Sequence, residues 1–269
     1  MRTAAFIATL GLVQPDAGPS LGTLLDRLAA YILEYEHAIS AVIADEEMTQ
    51  TPRSISPRAE GRRRLRSEIA FLRLPGDGPW IGYRLVYEVS GRKVTAQRAR
   101  LEALLTGTAD DRMRGVAIAQ ESARHNVGFA RTTNVPLLAL ELVHPSHRSR
   151  FTFSRGGLER VGRRQLRRID FVEQASPTII QTTRGSDLPT RGNIWIEEET
   201  GRVWQTEVRD RDIVSSTVLH VTFVDHRGLG LLVPDRMREV FAVGSGLGDG
   251  NARYSNFRRF STSARVVPQ

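Results

Sequence analysis

The chain contains no cysteine, and Lys93 is the only lysine among 38 basic residues. The first absence excludes disulfides, zinc–thiolate sites and lipid attachment through an N-terminal cysteine. The second makes the formal charge of +8 almost wholly an arginine charge. A GC-rich genome produces the same bias. Charge alone leaves an anionic partner open, but no recognition motif accompanies it, so no specific nucleic-acid partner is expected. No G-x-S-x-G, H-E-x-x-H or Walker pattern occurs, and no repeat or heptad run is present. No apolar run is long enough to span a bilayer as a helix.

What is present is ordinary for a soluble globular chain: 269 residues, 40% hydrophobic and 25% charged. Arg2 precedes an apolar run from Ala4 to Val13, the pattern of a signal-peptide n-region and h-region. Residues 1–18 are therefore expected to be a signal, with cleavage between Gln14 and Gly18. Residues 19–269 then form one exported domain, periplasmic or secreted, with no transmembrane span after signal removal.

Residues 20–44 carry Leu21, Leu24, Leu25, Leu28, Ile32, Tyr35, Ile39, Val42 and Ile43 at helical spacing, with Ser20 or Thr23 as the cap. A loop is expected from Thr51 to Gly61. Strands are expected over 62–74 and 80–90, and helices over 97–105, from 108 to about His125, and from Asn134 to before Pro145. Beyond Phe151 the pattern predicts strand after strand: 150–155, 163–174, 177–184, 191–198, 202–209, 215–225, 231–243 and 252–263. Turns fall between them at Gly156-Gly157, Gly185, Gly192, Gly201, Gly228 and Gly244–Gly250.

The clearest local signal is the hairpin 191–209. A three-residue loop, Glu199 to Gly201, pairs Glu198 with Arg202 and Ile196 with Trp204. Ile194, Ile196, Trp204 and Val208 then share one face, and Trp195 lies on the other. A four-residue loop, which pairs Trp195 with Trp204, is the weaker alternative.

The order of elements resembles the LolA/LolB-like superfamily of periplasmic lipoprotein-sorting and lipid-carrier proteins. A long amphipathic helix comes first, then strands, a helical insertion at about 97–148, and a long antiparallel meander. The segment 194–203, IWIEEETGRV, is similar to that group's strand–acidic turn–strand hairpin, and 232–241, LVPDRMREVF, resembles a later strand. The resemblance covers about residues 20–263. It implies an α+β fold, an open, strongly curved antiparallel half-barrel with helices on its concave face. It also implies lipid or acyl-chain binding with no cofactor.

On that reading Ile194, Ile196, Trp204, Leu219, Val221, Phe223 and Phe171 are candidates to line a ligand groove. Arg64 and Arg66 project together from one strand, and Arg164 and Arg168 from another, as candidate contacts for an anionic head group. Solvated outer faces are the alternative. Glu141, His144 and His147 have ligand-like spacing, but Pro145 interrupts their helix, so no metal site is expected. The glycines of 244–250 precede no helix, so a phosphate loop is not expected. The function expected is a non-enzymatic exported carrier or binding protein for a hydrophobic ligand, with lipid or a lipidated protein as partner. The alternatives are an envelope scaffold holding a protein on its arginine-rich face and, third, a hydrolase without a recognisable motif.

Overall fold

The computed structural model describes residues 18–40, 42–53, 61–71, 82–94, 111–182, 185–211, 215–243 and 246–259. Residues 1–17 of the expected signal segment and the expected helix at 97–105 lie outside these residues.

Helix α1 spans Leu21–Ile39. Ser20 is its N-cap, accepting from the Thr23 N–H at 3.1 Å. Its buried positions Leu24, Leu28, Ile32, Tyr35 and Ile39 are three or four apart and form one stripe. The helix ends five residues before the expected limit. Val42 and Ile43, read as its last apolar turn, open a strand instead.

That strand is β1, Val42–Pro52. It is followed by β2 (Arg63–Phe71), β3 (Gly82–Val89) and β4 (Arg92–Lys93). Next come α2 (Asp111–Ala123), α3 (Leu138–Leu142) and a 3-10 turn (Pro145–Arg150). The remaining strands are β5 (Phe151–Val161), β6 (Arg164–Glu173), β7 (Thr190–Ile196), β8 (Val203–Arg211), β9 (Ser215–His226), β10 (Leu231–Val243) and β11 (Gly246–Arg259).

The eleven strands among the described residues form one open antiparallel sheet in the order β4-β3-β2-β1-β11-β10-β9-β8-β7-β6-β5. The last strand pairs with the first, Val42 opposite Arg259, which joins two meanders into one surface. The chain must then pass from β4 at one edge to β5 at the other. Helix α2 lies first along β3, where Ser122 Oγ accepts from the Val86 N–H at 3.2 Å and so covers part of that strand's open edge. The segment 124–143 then runs across the concave face. Val135 and Leu137–Val143 join α1 and inward residues of β1, β2 and β6–β11 in one core. A smaller cluster, Ile43, Ala70, Tyr83, Leu85 and Ile118, packs α2 against the other face.

Three expectations about strands change. Of the strand expected at 177–184, residues 177–182 are described and are not a strand of the sheet; they contribute only a bridge from Gln181 to Asp187. Gly156-Gly157 does not end a strand but sits at a register shift inside β5. Gly246–Gly250 is the start of β11 rather than loop. A Cβ at Gly248 would lie 2.4 Å from the Phe241 ring, and one at Gly250 2.8 Å from Met48. These glycines make room for neighbouring side chains.

The hairpin β7–β8 uses both candidate registers. From Thr190 to Trp195 the pairing is that of the three-residue loop, with Ile194 opposite Thr206 and Trp195 opposite Gln205. A bulge at Trp204 then shifts the ladder by one, and Val203 rather than Trp204 faces Ile196. The turn closes by the four-residue pattern. The Glu197 N–H donates to Arg202 O at 3.0 Å, and Gly201 takes φ +72°. The two tryptophans are not cross-strand partners.

Candidate functional site

Along a strand, side chains alternate between faces. Ile194, Leu219, Val221 and Phe171 point into the concave core, with exposures of 0–3%, and Ile196 is wholly buried in the same cluster. Their neighbours are α1 and the segment 135–143, so the space expected to be a groove is filled by the chain itself. Trp195 is nearly as buried, and its Nε1 donates to Glu159 Oε2 at 2.7 Å.

The candidate arginines lie elsewhere. Arg64 and Arg66 are on β2, opposite Thr49 and Glu47 of β1, on the outer face. Arg66 pairs with Glu47 at 3.0 Å. Arg168 pairs with Glu159 at 2.5 Å and Asp170 at 2.8 Å. It is an odd number of residues from Phe171 on one strand and so faces away from it. Most of the candidate lining and three of the candidate head-group contacts therefore lie on opposite sides of the sheet.

Arg164 is the exception. It meets Trp204 and Phe223 at the rim, where the β5–β6 turn passes the ends of β8 and β9. There the surface opens into a pocket of about 350 Å³, lined by Val161, Gly162, Arg163, Arg164, Leu166, Trp204, Thr222 and Phe223. The bulge holds Trp204 at this position. Its Nε1 donates to Glu197 Oε1 at 2.8 Å, and the Arg164 guanidinium covers its ring. Arg164 also approaches Glu197 and Asp225, each at 3.6 Å. Asp225 takes a closer pair from Arg202 at 2.5 Å. Arg163 is exposed and has no ion pair among the described residues. Behind this rim, burial pushes the Tyr31 hydroxyl well above the usual tyrosine range. It stays neutral at any working pH.

The pocket is tied to α1 through the β7–β8 turn. Arg27 donates to Glu198 O at 2.5 Å, and the wholly buried Arg167 donates to Glu198 Oε1 at 2.7 Å. Gly201 lies so close to α1 that a Cβ would stand 2.4 Å from Arg27 O.

The chain is similar to solved structures in the path of its backbone. One is a domain from Vibrio parahaemolyticus described provisionally as an outer membrane lipoprotein-sorting protein. It is 12% identical, with TM-score 0.43, over 87% of this chain and 93% of that one. A DUF1329 family protein from Desulfovibrio piger is 11% identical, with TM-score 0.36, over 90% of this chain and 94% of the other. Lipoprotein LppX of Mycobacterium tuberculosis is 11% identical, with TM-score 0.26, over 90% and 99%. No family model and no curated protein matches the chain. No residue's role is carried over from these structures to this chain.

A second polar cluster escaped the sequence reading. Glu46 and Glu239, both almost inaccessible, point inward between apolar neighbours on β1 and β10. Glu46 accepts two bonds from Arg84, at 2.5 and 2.8 Å, and Glu239 two from Arg131. Asn134 links them, accepting from Arg84 at 2.9 Å and donating to Asn126 Oδ1 at 3.0 Å. Gln50 extends the chain of bonds to Asn126 at 2.7 Å and to the Val127 N–H at 2.8 Å. Burial works against the Arg84 charge, but Glu46 outweighs it and holds the guanidinium protonated. With every member paired, the cluster fastens 123–134 to the sheet. The signal in the sequence was an acidic residue at an inward position: Glu46 between Ala44 and Met48, and Glu239 between Met237 and Phe241.

The spacing of Glu141, His144 and His147 produces no ligand set. His144 Nε2 faces Glu36 at 3.3 Å, and His147 Nδ1 lies 3.0 Å from Glu141 O. Among the described residues no group of three His, Cys, Asp or Glu side chains is placed to hold a metal.

Proposed function

We propose that this chain is a non-enzymatic binding protein of the bacterial cell envelope, exported by residues 1–18, that takes a hydrophobic ligand with an anionic end. The observation that supports it is the rim pocket: Leu166, Trp204, Phe223 and Val161 form apolar walls, and Arg163 and Arg164 stand at its mouth. Its volume, about 350 Å³, is at the small end of the range of ligand sites. It fits one acyl chain end with a carboxylate or phosphate held by the arginines. No group in it is arranged for nucleophilic or general-base chemistry. Titration of the purified chain with dodecanoate, followed by calorimetry and native mass spectrometry, is expected to show one bound molecule, and Trp204→Ala to abolish it. No uptake at millimolar dodecanoate rules the reading out.

A scaffold that holds a protein on its arginine-rich face is the second reading. The filled concave core favours it, because a carrier that used the whole concave face would have to displace α1. Trp204→Ala separates the two: it abolishes ligand binding in the rim pocket and leaves a protein held on the arginine-rich face unaffected.

A further inference from the structure

The convex face of the sheet carries a second basic surface, made from residues not singled out as candidates in the sequence. β10 is the middle strand of the eleven, so its outward residues stand on the crest of the curve. Those residues include Arg236 and Arg238, both exposed, followed by half-buried Val240. Arg236 sits directly opposite Arg253 of β11. Arg191 and Arg209 face each other in the same way across β7 and β8. Like charges directly opposite on neighbouring strands are destabilising, and a free fold gains nothing from them.

Neutralisation within the chain is partial: Glu47 of β1 stands directly opposite Arg253 and Asp249 of β11 opposite Val240, each already paired with another arginine, Arg66 and Arg53. Arg238, Arg253 and Arg191 have no ion pair among the described residues. Arg236 has only the adjacent Asp235, at 3.5 Å, and Arg209 has Glu207 at 2.7 Å. Beside the arginines lies an aliphatic strip. Val240 pairs with Val218, and Leu247, 41% exposed, faces Ala242. A crest where Arg238 and Arg253 have no ion pair, beside exposed Leu247 and half-buried Val240, suits an interface that is anionic at its surface and apolar just beneath. The one tryptophan of this face among the described residues, Trp195, is buried and offers bases no platform.

We infer that the convex crest of β10 and β11, with Arg236, Arg238 and Arg253, docks the protein on a bilayer of anionic phospholipids. Guanidinium groups take lipid phosphates bidentately, and Val240 and Leu247 enter the head-group boundary. The surface is distinct from the rim pocket and does not depend on what the pocket holds.

Co-sedimentation of the full chain with vesicles tests this. Binding is expected to mixed phosphatidylglycerol–phosphatidylcholine vesicles, with none to pure phosphatidylcholine and with loss as salt rises. Arg253→Gln alone is expected to weaken binding about fivefold, and the trio Arg236→Gln, Arg238→Gln and Arg253→Gln about a hundredfold. A control trio of equal charge change, Arg92→Gln, Arg124→Gln and Arg160→Gln, keeps most of the binding. The docking trio also melts no lower than the parent chain, because it removes a like-charge contact, so lost binding is not lost folding. An equal loss in both trios, equal binding to neutral vesicles, or retention by a single-stranded oligonucleotide with none by vesicles overturns the inference.

Discussion

Arg164 lies over the ring of Trp204, its guanidinium carbon 3.6 Å from the ring centroid. The two residues come from different hairpins, so the contact joins the β5–β6 turn to the bulge of β8. Arg164 is about half exposed, and such a contact contributes about 0.5–1 kcal/mol. Trp204 is 8% exposed, and removing a buried aromatic ring costs about 3–5 kcal/mol. Arg164→Gln is therefore expected to shift the urea midpoint slightly, and Trp204→Ala strongly. Equal shifts would show that the ion pairs, not burial of the ring, hold the rim together.

The Glu46–Arg84 and Glu239–Arg131 pairs give a sharper contrast. Removing one member leaves a buried charge without its partner, at about 3–5 kcal/mol. Replacing both members by apolar residues of similar size costs far less. Equilibrium denaturation should therefore find Glu239→Leu more destabilising than Glu239→Leu combined with Arg131→Met. The double variant should keep the far-ultraviolet circular dichroism of the parent.

Two glycines with positive φ separate steric cost from conformational cost. Gly91 takes φ +86° with nothing within 4 Å of an added Cβ. Gly201 takes φ +72°, with α1 backbone 2.4 Å away. Gly91→Ala carries only the left-handed backbone cost of about 1 kcal/mol. Gly201→Ala must also push the β7–β8 turn off α1. Thermal melts are expected to show a clearly larger loss for Gly201→Ala, together with faster hydrogen exchange in α1.

Acid should weaken the fold in two separate steps. Burial holds His220 below the usual histidine range; Glu207 opposes this and Arg238 reinforces it. The unfolded chain then takes the proton more readily. Stability is undiminished above the ordinary histidine value of about 6.5 and falls as pH drops below it toward the depressed folded value. Burial, reinforced by Arg63, also holds His125 below the usual range, so His220→Gln should reduce that limb of a stability–pH curve and His220→Gln with His125→Gln should flatten it.

Asp187 acts at lower pH. The Ser176 hydroxyl and then the Thr178 N–H hold its carboxyl down at about 2, against an ordinary 3.8. Its contribution is present above the ordinary value and is lost as pH falls through about 2. Asp187→Asn should remove that second step and loosen 176–188, as read by limited proteolysis.

Helix α1, the hairpin and the run of strands were legible because their apolar residues keep a clean period. β1 was not, because its inward face reads Ala44, Glu46, Met48, Gln50, and its polar members satisfy partners far away in sequence. The bulge at Trp204 was also hidden. Both candidate registers were visible, but Val203 and Trp204 are both apolar, so the pattern fits either register and does not mark a bulge between them. The separation of the candidate arginines from the candidate lining was legible in principle. Arg164 and Arg168 are even-numbered and Phe171 odd on one unbroken strand, which fixes them to opposite faces. At the rim, where the strands end, the bulge brings Trp204 and the end of β9 brings Phe223 into one pocket with the outward Arg164.

The pairing of β1 with β11 also governs how the chain reaches this state. Its contacts join the beginning of the domain to its end, so the sheet has the high sequence separation that slows folding. Until β11 is present, β1 and β10 are two unpaired edges able to recruit strands from other chains. β11 is thus the strand that seals the sheet, and while the ribosome still holds residues 246–259 the two meanders cannot join.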